Sequence, residues 1–174
     1  MIKSTLASIA MISIAGALSA TASADDWDMR AYTGAEIASD SEAANSWTLS
    51  ATSAQGPGLV FVCTVNSGMR GAVVYEPDED LVDQALFSRG WTANKTGIVT
   101  VGDQTIEDRW SHQRRANTLT TSDRSSIIAM LNGVNRGDNI ALDFHRMDPM
   151  RLTFPETSDA FSSFVQSCPI TGRR

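Results

Sequence analysis

The apolar positions of this chain fall into runs of period two and runs of helical spacing. Leu59 to Val65 reads LVFVCTV, a β-branched and aromatic run that predicts a buried strand. Alternation places Leu59, Phe61, Cys63 and Val65 on one face. Asn66-Ser67-Gly68 is a turn signal, and Met69 to Tyr75 returns as the second strand of a hairpin. Trp47-Thr48-Leu49 opens an earlier strand, and Gln55-Gly56-Pro57-Gly58 turns it. Ile98 to Val101 and Gln104 to Trp110 form another hairpin around Gly102-Asp103. Asn139 to His145 and Met150 to Phe154 form the clearest one, with Ile140, Leu142 and Phe144 facing the same way as Met150, Leu152 and Phe154.

Helical spacing occurs in three places. Leu81, Val82, Ala85 and Leu86 follow an acidic run and end at Arg89-Gly90. Ile127, Ile128, Met130, Leu131 and Val134 mark one face of a helix capped by Ser122 or Asp123 and closed by Arg136-Gly137. Phe161, Phe164, Val165 and Cys168 lie at i, i+3, i+4 and i+7 behind Thr157-Ser158-Asp159, and Pro169 stops that helix. The predicted fold class is α+β. An antiparallel sheet or small sandwich is covered by these helices.

The N-terminus has a different pattern. Lys3, an apolar stretch from Leu6 to Leu18, and Ala22-Ser23-Ala24 before Asp25-Asp26 are the three parts of a secretory signal. The expected organisation is a signal over residues 1–24, a partly ordered lead-in over 25–46 holding Trp27, Tyr32 and Ile37, one domain over 47–170, and a tail over 171–174. The mature chain is then exported, to the periplasm in a Gram-negative host. Its 174 − 24 = 150 residues suit a single core. Removing Lys3 takes the charge from −6 to 13 − 20 = −7, which argues against nucleic acid or anionic membrane as partner.

Export bears on Cys63 and Cys168, the only cysteines. An oxidising compartment favours a disulfide between them. The alternative, a catalytic thiol, needs an adjacent base, and no local motif ties His112 or His145 to a cysteine. The disulfide would staple the last helix to the Phe61 strand.

Other chemistry is sparse. No G-x-S-x-G elbow, phosphate-binding glycine loop or zinc-ligand spacing is present. His112 lies in a polar segment read as exposed, and His145 ends a strand where it or Asp143 can pair with Arg151. Glu107-Asp108 is a poor acid/base pair, because neighbours on a strand face opposite ways. Glu76 to Asp83 reads as the acidic start of a helix. The alternative, a calcium loop, lacks the central glycine and contains Pro77. Arg109, Trp110, His112, Arg114 and Arg115 form a candidate interaction patch, since Arg and Trp anchor interfaces, against the plainer reading of an inward Trp110 and solvated arginines.

Trp47, the Leu59-Val60-Phe61-Val62-Cys63 strand, the run from Ile98 to Trp110, the helix ending at Gly137, and Leu152-Thr153-Phe154 followed by a helix ending in Cys168 carry a family likeness. In this order the elements resemble the VasI (TagO) group of exported proteins associated with type VI secretion. They are also similar in outline to the invasion-associated locus B proteins. The resemblance implies a small exported β-rich protein with a disulfide, and no catalytic residues. The expected function is a periplasmic binding or accessory protein without enzymatic activity or cofactor, working through contacts with an envelope protein. The alternatives are an envelope hydrolase with a histidine base, and a calcium or small-ligand module.

Overall fold

The computed structural model describes residues 26–32, 46–65, 68–78, 80–87 and 91–168. The signal, the tail, the Asn66-Ser67 turn, Glu79 and Arg89-Gly90 lie outside the described residues. The chain runs β1 (Asp28–Tyr32), β2 (Ser46–Thr52), β3 (Gly58–Thr64), β4 (Gly68–Val74), α1 (Leu81–Phe87), β5 (Ala93–Val101), β6 (Gln104–Gln113), β7 (Thr118–Thr121), α2 (Arg124–Arg136), β8 (Ile140–Phe144), β9 (Met150–Leu152) and α3 (Asp159–Ser167). A 3-10 turn, Arg114–Ala116, joins β6 to β7. All nine strands belong to one antiparallel sheet, in the order β1-β2-β3-β4-β7-β6-β5-β8-β9. The α+β class expected from the sequence is observed.

The sheet curls into a half-barrel whose two ends meet. The Ala54 N–H, in the β2–β3 turn, donates to the Thr153 carbonyl just beyond β9 at 3.0 Å. The Trp27 indole N–H donates to the Pro155 carbonyl at 3.1 Å, and its ring lies 5.5 Å from both Phe154 and Phe161. The concave face is the main core. Leu49, Phe61, Val73, Leu119, Trp110, Val99, Leu142 and Leu152 contribute to it from eight strands. Helix α2 fills the concavity with Ile127, Met130, Leu131 and Val134, all buried. It approaches so closely that a Cβ on Gly133 would overlap the Val101 side chain. Asp123 caps α2 by accepting from the Ser126 N–H at 2.8 Å, and Gly137, at φ 74°, ends it in the left-handed conformation glycine adopts freely.

Strand β3 is buried on both faces, which explains its unbroken apolar run. Leu59, Phe61 and Cys63 face the main core, while Val60 and Val62 meet Ala72 and Val82 under α1 on the convex side. Helix α3 rests on β1 and β2. Its end is tied to β3 by the Cys63–Cys168 disulfide, with a Cα–Cα distance of 5.7 Å.

Two expectations change. The segment read as a lead-in contributes the edge strand β1, and Trp27 is buried. An edge strand pairs on one side only, so its sequence needs less apolar content. Arg151 lies opposite Ala141 in the β8–β9 register rather than opposite Asp143, and His145 has already left the strand.

The acidic run is structural at Asp80. Its Oδ1 accepts from the Val82 and Asp83 N–H groups at 3.0 and 3.3 Å, capping α1. Arg30 of β1 grips both its oxygens, at 3.0 and 2.6 Å. Burial pushes the Asp80 carboxyl up, but Arg30 and the two backbone donors outweigh it, so its pKa lies below the ordinary aspartate range.

Two outcomes are expected. Closing a loop of 105 residues is worth roughly 4–5 kcal/mol in the chain-entropy model. Reduction, or Cys63→Ala with Cys168→Ala, should therefore lower the urea midpoint strongly, and an unchanged midpoint would refute the staple. Asp80 stabilises the fold above its unfolded pKa and ceases to do so as pH falls through its lower folded pKa. At neutral pH Asp80→Asn should cost no more than about 1 kcal/mol, because the pair is more than a third exposed. The gap between wild type and variant should narrow as pH falls below the ordinary aspartate range in pH-dependent urea melts.

Candidate functional site

The inner face of the half-barrel continues past its apolar core at one end. Beyond Val73 the alternation carries Tyr75, and beyond Trp110 it carries His112, with Leu119 of β7 paired to His112. Here the Tyr75 hydroxyl meets His112 Nε2 at 3.0 Å, the rings tilted 56° at 5.7 Å. Tyr75, Glu76, His112 and Arg114 line a cavity of about 510 Å³. Met147 and Asp148 of the β8–β9 connection, Met150 of β9 and Pro57 of the β2–β3 turn complete its lining. A mouth of this kind in a rolled sheet is a common place for small ligands.

Each rim segment is fastened from outside. Gln84, buried on α1, donates from Nε2 to the Glu76 carbonyl at 3.1 Å and the Ala116 carbonyl at 2.8 Å, and accepts from the Asp78 N–H at 3.3 Å. One amide thus holds the two segments that carry Glu76 and Arg114. The Tyr75 N–H donates to the Asn117 carbonyl at 2.9 Å. Lys95 Nζ donates to the His145 carbonyl at 2.8 Å and pins the β8–β9 connection to β5. Among the described residues, the two non-glycine positions with positive φ are Asn117 at 50° and Arg146 at 60°, and both flank this cavity. Backbone in that region is uncommon for such residues and collects at functional sites.

The imidazole is 4% exposed. Burial first, then the nearby Lys95 and Arg114 charges, lower its pKa, so it is neutral at neutral pH. Burial, reinforced by Glu76 and partly offset by Arg114, raises the Tyr75 pKa and keeps its hydroxyl protonated. His112 Nδ1 is buried with no hydrogen-bond partner. A triad histidine has an acid at that nitrogen. Serine, threonine and cysteine are absent from the described lining.

The five residues of the sequence patch are not one surface. Trp110 is fully buried against Phe144, with ring centroids 5.3 Å apart. His112 is buried beside Tyr75, and Arg109 projects from the opposite face of β6. Arg114 and Arg115 are exposed on the 3-10 turn. His112 and Arg114 therefore belong to the cavity, and the expectation that His112 is exposed is overturned by β6 extending to Gln113. The period-two step from Trp110 to His112 carried that signal. Tyr75, Met147 and Met150 were missed as site residues. Trp91, 90% exposed just before β5, lies outside the cavity lining.

The calcium alternative for Glu76 to Asp83 finds its acids divided. Glu76 lines the cavity, while Asp80 is taken by Arg30 and the α1 cap. A second groove, of about 340 Å³, lies between α2 and α3 and is lined by apolar residues, among them Ile128, Leu131 and Phe161, and by uncharged polar ones, among them Asn132 and Gln166. It has no ionisable group in its lining, so the chemistry concentrates at His112. No known family model, curated protein or solved structure matches the chain.

If the Tyr75 hydroxyl is what satisfies the imidazole, Tyr75→Phe should destabilise the fold by about 1–3 kcal/mol, the cost of leaving a buried polar group unpaired. Chemical denaturation tests this, and a loss near zero would mean the hydroxyl is dispensable.

Proposed function

We propose that this is an exported binding protein without catalytic activity, which takes a small ligand at the His112–Tyr75 cavity and works in the cell envelope. The single observation that carries the reading is the buried neutral imidazole facing a cavity whose rim is fastened at three points. A fastened rim preorganises a binding site and lowers the ordering cost of association. A histidine without an acid on Nδ1 and without a nucleophile in the lining is poorly equipped for hydrolysis. The wall carries two carboxylates, Glu76 and Asp148, against one guanidinium, Arg114. Lys95 adds a second cation near His112, so the charges around the cavity balance. The disulfide supports an oxidising compartment. Among the described residues no helix is long and apolar enough to cross a membrane.

The test is native mass spectrometry of the chain isolated from the envelope of its own host. A small adduct should be present on the wild type and lost from His112→Phe. Unadducted wild type would count against the cavity as a ligand site. A stoichiometric protein partner that is lost with Trp91→Ala, in place of a small adduct, would move the function to a protein contact.

A further inference from the structure

The contact between His112 and Tyr75 suits one protonation state of the ring. Tyr75 directly follows β4 and His112 belongs to β6, with β7 between those strands in the sheet. The imidazole gives Nε2 to the Tyr75 hydroxyl at 3.0 Å and leaves Nδ1 buried without a partner. An imidazolium is a donor at both nitrogens. The hydroxyl can accept one of those protons, and nothing in the closed structure accepts the other. A buried, charged N–H left unpaired is costly.

The surroundings point the same way. Lys95 of β5 and Arg114 of the 3-10 turn are the charges that act on the ring, and both add to burial in opposing a proton there. Arg115 brings a further cation on the same turn. Strand β7 carries no titratable side chain, and α1 reaches this corner with the neutral Gln84. Glu76 and Asp148 line the cavity, but neither accepts a hydrogen bond from the imidazole. Within β6 itself, Asp108 is engaged by the Thr121 hydroxyl at 2.6 Å.

We propose that the His112–Tyr75 contact is an acid-released clasp on the cavity: a proton on His112 parts the end of β6 and the Arg114–Ala116 turn from Tyr75. The bonds it works against are local. The turn is otherwise held here by Gln84 on the Ala116 carbonyl and by the Tyr75 N–H on the Asn117 carbonyl. The clasp belongs to the lining and does not require an occupant. For a ligand in this cavity mild acid would be the signal for release, a consequence that rests on the reading given above. Below about pH 6.5, the ordinary histidine value, the open form takes up a proton that the closed form refuses. The open-to-closed ratio should therefore rise by up to about tenfold for each pH unit as the solution is acidified.

The experiment is hydrogen–deuterium exchange of the oxidised chain at a series of pH values, corrected for the intrinsic effect of pH on exchange. Between about pH 7.5 and about pH 5, protection over residues 111–119 and at Tyr75 should fall, while β3 and α2 keep theirs. His112→Gln offers Tyr75 a polar partner that does not titrate, and it should hold its protection across the same range. His112→Phe repeats the comparison with a ring that takes no proton. His145→Gln changes the exposed histidine outside the cavity lining and should behave like the wild type. Flat protection in the wild type, or a fall that persists in both His112 variants, would overturn the proposal. So would an equal fall in β3 and α2, which would make the event acid unfolding of the whole domain. These outcomes are read without a ligand, so they stand apart from the adduct measurement that tests the cavity as a binding site.

Discussion

The Ala54–Thr153 backbone hydrogen bond, with the Trp27 indole on the Pro155 carbonyl, joins the two ends of a nine-stranded sheet. Most of the architecture depends on that junction. A flat sheet of this width would expose one side of its apolar face, and a single short helix could not cover it. Curling lets α2 fill the concavity, while α3 packs on β1 and β2. The same curl brings Pro57, from the β2–β3 turn, across to Met150 of β9. The cavity is therefore a product of closure. No single hairpin contains it.

The parts of the fold legible in the sequence were those whose burial is dictated locally. Strand β3 has apolar residues on both faces because both are covered. Helix α2 carries its own cap and its own glycine stop. The hairpin β8–β9 alternates cleanly, and two cysteines allow only one intramolecular pairing. Strand β7, Thr-Leu-Thr-Thr, was not legible, since Leu119 alone is strongly apolar and its place is fixed by β4 on one side and β6 on the other. The site was harder still. Tyr75 and His112 are 37 residues apart and meet only because β4, β7 and β6 are neighbours in the sheet. Met147 and Met150 read as ordinary apolar residues, and only the curl brings them to the same cavity as His112.

The acidic segment after β4 shows why a charge run is a poor guide to a binding loop. Its members separate into different tasks. Glu76 faces the cavity, Asp80 caps α1 and holds Arg30, and the neutral Gln84 makes the contacts that organise the neighbourhood. Through Arg30 the convex helix is also linked to the edge strand, so α1 is connected to both margins of its half of the sheet.

The position of the two cysteines has a consequence for how the chain matures. Synthesis runs from the N-terminus, so Cys63 is made 105 residues before its partner. No third cysteine exists with which it could pair wrongly in the meantime. In the finished protein Cys63 is 1% exposed, inside the core face of β3. The sulfurs meet only where α3 has docked, and the strand it docks on is already central to the sheet. With both cysteines buried, the bond is shielded from reductants in the folded protein. An oxidant acting on this chain has no isomers to sort.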